Sequence, residues 1–119
     1  MKEEVKKINL YISEKYKIRE SSINKGYCFL WALEFKKRFY DSTLYLTKYH
    51  GGHAFIFYNG RFYDSETPNG AKSWHRLNTF RRDRLTKKNR KNIIILQKEE
   101  FKKYWVENNK SNGRYVNDY

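Results

Sequence analysis

Residues 53–66, HAFIFYNGRFYDSE, constrain the fold more than any other stretch of this chain. Two aromatic-rich runs flank Asn59-Gly60, the pair best suited to a two-residue type I′ turn, in which both central residues take positive φ. Such a turn sets the register. Tyr58 faces Arg61, Phe57 faces Phe62, Ile56 faces Tyr63 and Phe55 faces Asp64. Because side chains alternate along a strand, His53, Phe55 and Phe57 share a face with Phe62, Asp64 and Glu66. A carboxylate on an otherwise aromatic face is costly to bury unless something pairs with it. His53, opposite Glu66 and diagonal to Asp64, is the available partner.

A lone hairpin is marginal in water, so other elements must cover it. Residues 2–16 read as an amphipathic helix with Val5, Ile8 and Ile12 on one stripe. SSINKGY reads as a loop, and a second helix is expected from about Cys28 to Phe39, with Cys28, Ala32, Phe35 and Phe39 on one face. Its first turns are apolar nearly all round, so the N-terminal end is expected to be buried and the Lys36–Arg38 end to be solvated. STLYLTKY reads as a strand. Ile93 to Leu96 reads as a short central strand, and Glu99 to Asn108 as a closing helix presenting Phe101, Tyr104 and Trp105. The tail, 109–119, lacks a core-facing pattern. The expected class is α+β: a small antiparallel sheet packed against a central helix carrying Cys28, with flanking N- and C-terminal helices, in one domain over 1–119.

Composition supports this and narrows the function. With 39% hydrophobic and 18% aromatic residues, the 119-residue chain can bury a core despite a mean hydropathy of −1.03. The single cysteine excludes an internal disulfide framework, and no Cys/His spacing marks a metal site, so neither cofactor nor metal is expected. No stretch is apolar for long enough to cross a bilayer, and the first sixteen residues lack a signal-peptide pattern. The expected location is the cytoplasm, that of a bacterial host if a phage encodes the chain.

The formal charge of +13 is concentrated. Between Ala71 and Asn92 stand nine cations against Asp83 alone, a net of +8. From this run Arg76, Arg81, Arg82, Arg84, Lys87, Lys88, Arg90 and Lys91 form a candidate contact patch for nucleic acid or an acidic protein. A solvated loop is the plainer explanation.

The chemistry centres on Cys28. A Gly-containing loop precedes it and a helix follows, so its sulfur sits at the positive end of the helix dipole. That position and a neighbouring imidazolium both favour a thiolate. If the sheet packs on the helix, Cys28 meets His53, and Asp64 or Glu66 orients the ring from behind. This is the nucleophile–base–orienter pattern of thiol enzymes. The Cys28 N–H is one candidate oxyanion donor, and Asn24 supplies the only nearby amide side chain for a second. His50 is a rival base whose face the sequence does not fix. The simpler alternative is a small buried thiol beside a satisfied core histidine.

Gly26 and Cys28 at a helix start, His53-Ala54 opening a strand and Tyr63-Asp64 ending the next resemble the papain-like cysteine hydrolase superfamily, in particular its transglutaminase-like and NlpC/P60-like branches. The matched positions span about a third of the chain. The resemblance implies an α+β fold and acyl transfer on a protein or peptide-like substrate through a cysteine thioester: a protease, amidase, deamidase or transglutaminase-like activity. Cys28 would then be nucleophile, His53 base and acid, and Asp64 orienter. Two other readings stand beside it: a basic binding module without catalysis, and an enzyme fold retained as a scaffold.

Overall fold

The computed structural model describes residues 1–47, 52–82 and 95–97, with Glu100 and Lys103. Helix α1 spans Lys2–Tyr16 and α2 spans Cys28–Arg38; strands β1 (Thr43–Thr47), β2 (His53–Tyr58) and β3 (Arg61–Tyr63) follow, then a short helix α3 (Asn78–Arg82) and strand β4 (Ile95–Gln97). The four strands form one antiparallel sheet in the order β3-β2-β1-β4. The fold is a small α+β domain with the Cys28 helix packed on the sheet.

The hairpin forms as its turn chemistry requires. Asn59 and Gly60 take φ of 49° and 78°, the two positive values of a type I′ turn. The register follows: Ile56 opposite Tyr63, Phe57 opposite Phe62, Tyr58 opposite Arg61. β1 pairs on the other side of β2, from Thr43 against Phe57 to Thr47 against His53.

The pleat divides the sheet into two cores. One face carries Leu44, Leu46, Ala54, Ile56 and Tyr63 against α2, which buries Cys28, Trp31, Ala32 and Phe35; α1 adds Val5, Ile8 and Ile12. Each fully buried Ile or Phe side chain contributes about 1.5–3 kcal/mol. Trp31, 1% exposed, needs a partner for its indole N–H and donates it to Asn9 Oδ1 at 2.6 Å. The opposite face carries Phe55 against Ala71, Leu77 and Phe80, with Trp74 stacked over Phe55 at 6.5 Å.

Three expectations need correction. Residues 71–82 are not a plain basic loop: a 3₁₀ turn at Trp74–Arg76 leads into α3, and Leu77 and Phe80 close the second face. Two apolar residues three apart within a charge run are enough to seat a helical turn, a signal the surrounding cations mask. Among the described residues β4 is the edge strand beside β1 rather than a central one, and Ile95 is 37% exposed. The face of the hairpin that carries His53 and Phe55 packs on α3, whereas α2 covers the other side. The expected closing helix lies outside the described residues except for Glu100 and Lys103, both helical, and the tail lies outside them altogether. Among the described residues, no helix is long and apolar enough to cross a membrane.

Candidate active site

β3 ends at Tyr63 because the chain turns away, Thr67 N–H bonding Asp64 O at 3.1 Å. In a hairpin with a two-residue turn, alternate residues of β2 point their backbone groups at β3, here Tyr58, Ile56 and then Ala54. With β3 gone, Ala54 would have an orphaned N–H. The Cys28 sulfur takes that ladder position: Ala54 N–H donates to Sγ at 3.5 Å, and the thiol points to Gly52 O at 3.8 Å. The thiol thus lies beside the strand, at the level of the sheet itself. From there it reaches His53, although α2 and His53 belong to opposite faces.

His53 is held on both sides. Its Nε2 stands 2.9 Å from Asp64 Oδ2, and the Cys28 side chain is its other hydrogen-bond partner. The ring packs edge-on to Phe80 at 5.3 Å and beside Phe55 at 6.1 Å. Asp64 is 0% exposed, and its second oxygen accepts the Glu66 backbone N–H at 3.0 Å. Burial pushes the His53 ring toward its neutral form. The hydrogen bonds to Asp64 and Cys28, with the charges of the same two groups, outweigh burial and raise its pKa from 6.5 to about 10. The ring is therefore an imidazolium at neutral pH, paired with a buried carboxylate.

Cys28 is the first residue of α2, and Tyr27 at the N-cap makes no side-chain capping hydrogen bond. The N–H groups of the first helical turn have no intrahelical acceptor, so the positive end of the helix dipole lies at Cys28. Gly26, at φ 117°, makes the bend that starts the helix there.

The structure brings Cys28, His53 and Asp64 together and gives Glu66 and Asn24 other partners. Glu66 accepts from Thr79 Oγ1 at 3.3 Å, so its carboxylate faces α3 while Asp64 faces the ring. Asn24 donates from Nδ2 to Thr79 Oγ1 at 2.9 Å and accepts from Ser65 Oγ at 3.0 Å. Its amide clamps three segments together, with one of its two N–H groups given to Thr79. Asn9 is a residue that sequence reasoning missed. It holds Trp31 with its oxygen and Ser65 O with its nitrogen at 3.0 Å, fixing the backbone next to Asp64. The only signal was an amide at the position after Ile8 on the buried stripe of α1. Of the basic patch, Arg76 and Arg81 are exposed and Arg82 ends α3. Arg84, Lys87, Lys88, Arg90 and Lys91 lie outside the described residues, as does the rival base His50.

Fold and site together define a small α+β domain with a buried Cys-His-Asp cluster at the end of a strand. Comparison with protein-family models, with curated proteins and with solved structures finds no match in any of the three.

Proposed function

We propose that the protein is a thiol hydrolase or acyltransferase of papain-like type, acting on a protein or peptide-like carbonyl. The observation that carries this reading is the position of His53 between the Asp64 carboxylate and the Cys28 thiol at a helix N-terminus. The sulfur attacks the carbonyl carbon, its proton having passed to His53. The oxyanion that forms is met by the Cys28 N–H. His53 then gives its proton to the departing amine, leaving an acyl thioester. Water, or a second amine, takes the acyl group with His53 accepting the proton of the incoming nucleophile. Asp64 keeps the ring aligned and balances its charge throughout.

Cys28 is 2% exposed and His53 3%, so the sulfur meets a substrate only after a local opening. The same burial favours one competing reading, a scaffold in which the three groups serve packing alone. Iodoacetamide separates the two. The enzyme reading expects Cys28 of the folded protein to alkylate at pH 6, and Cys28→Ala and His53→Ala each to abolish turnover of peptide amides or amine incorporation into casein with folding retained. Alkylation seen only in urea, where the chain is unfolded, would establish the scaffold.

A further inference from the structure

A second site lies outside the thiol cluster. A groove of about 390 Å³ opens beside the turn after β3, and four cations line it: Arg61, Lys72, Arg76 and Arg81. No carboxylate lines it among the described residues. The chain builds this concavity deliberately. Gly70 N–H closes a turn on Thr67 O at 3.1 Å with Pro68 at its second position, and Gly70 takes φ 76°. A Cβ on Gly70 would come within 2.8 Å of the Tyr63 ring, so the turn presses flat against β3 only with glycine there. Paired hydrogen bonds of 2.8 Å between Phe62 and Ala71 then carry the chain back alongside Arg61. Arg61 Nη1 donates to Gly70 O at 3.4 Å, across the groove floor. The side chains of Lys72, Arg76 and Arg81 have no hydrogen-bond or ion-pair partner among the described residues.

We infer that this groove binds a phosphate-bearing ligand, either a free polyphosphate of nucleotide size or the backbone of a nucleic acid strand. Four like charges facing one small cavity repel each other, so the ligand that fits best concentrates several negative charges in little volume. A terminal phosphate carries roughly −1.5 to −2 and each phosphate within a chain about −1, and successive phosphates lie side by side. A peptide carboxylate carries a single charge and brings a whole residue with it. Three of the four cations are arginines, whose planar forks match phosphate oxygens in pairs. The volume falls within the range of small-ligand sites, about 300–1,000 Å³. The inference goes beyond the thiol reading and does not depend on it.

Calorimetric titrations of the full chain with sodium tripolyphosphate, a short oligothymidine and a short oligoglutamate test it. Tripolyphosphate binding that weakens at least about tenfold in both Arg76→Ala and Arg81→Ala, but not in Lys2→Ala on α1, supports a free phosphate ligand. Binding of oligothymidine alone with the same losses supports a strand. Both arginines are exposed, so folding should persist in these variants. The inference is overturned if neither phosphate probe binds, if binding survives Arg76→Ala/Arg81→Ala, or if oligoglutamate binds as tightly. Cys28→Ser should bind like the wild type, so failure here leaves the enzyme reading untouched, and the reverse.

Discussion

Asp64 grips His53 with one carboxylate oxygen, at 2.9 Å, and its own backbone turn with the other, at 3.0 Å from the Glu66 N–H. The turn that ends β3 therefore also aims the imidazole. Losing either bond leaves a buried charge short of a partner. Asp64→Ala is expected to cost about 3–5 kcal/mol in urea unfolding, because it strands the ring and the Glu66 N–H together. Asp64→Asn, of the same shape, should cost less, and in it the His53 pKa should fall, since burial then acts against a weaker partner. Ring titration by NMR reads this directly. An unmoved His53 pKa in Asp64→Asn would show that the carboxylate charge is not what holds the proton.

Stability should decline with alkali. His53 has its pKa raised from 6.5 to about 10 on folding. Its contribution is therefore full below pH 6.5 and is lost as pH climbs through about 10. For one proton the slope within that window is at most about 1.4 kcal/mol per pH unit. Urea midpoints measured across it should fall for the wild type and flatten in His53→Gln. Equal slopes in the two proteins would assign the loss to some other group.

Cys28 does structural work independent of any chemistry, because its sulfur accepts the N–H that β3 leaves unpaired at Ala54. Cys28→Ala should cost about 1–3 kcal/mol for an unsatisfied buried donor, and Cys28→Ser, which restores an acceptor, should cost less. Amide hydrogen exchange at Ala54 should accelerate in the alanine variant. Unchanged exchange there would mean that the sulfur does not cap the strand.

Asn59 and Gly60 both hold positive φ, where a residue with a Cβ and no local hydrogen bonding is strained. Gly60→Ala is expected to lower stability by about 1–2 kcal/mol and Asn59→Gly to be close to neutral. Urea unfolding of the two variants side by side gives the comparison. Asn59→Gly as damaging as Gly60→Ala would refute the turn assignment.

Asn9 joins α1 to the core tryptophan and to the loop after Asp64. Asn9→Ala should cost about 1–3 kcal/mol by leaving the Trp31 indole N–H and Ser65 O unpaired. It should also lower the His53 pKa slightly, since Ser65 adjoins Asp64. A destabilised variant with an unaltered His53 titration would limit Asn9 to packing.

The hairpin, the start of α2 at Cys28 and the apolar stripe of α1 were legible in the sequence, because each rests on interactions a few residues apart. Asn-Gly demands one turn, that turn allows one register, and the register alone puts Asp64 near His53. The side of the sheet that α2 covers was not legible. Period-two alternation says which residues share a face, but both faces of β2 are apolar, so the pattern does not name the partner of either. α3 was hidden for a similar reason, its Leu77 and Phe80 lying among cations that read as solvated. Asn24 looked like a free amide until its partners, Ser65 and Thr79, were seen to come from distant parts of the chain.

Local chemistry in the sequence thus determined where the strands turn, where the central helix begins and that His53 shares a face with Asp64 and Glu66. Only the tertiary structure decided that the thiol would lie in the plane of the sheet, in the gap where β3 stops, and that Arg61 would line one groove with Lys72, Arg76 and Arg81. Both outcomes depend on how whole elements pack. Packing sums many weak contacts between residues far apart in the chain, and no short pattern encodes that sum.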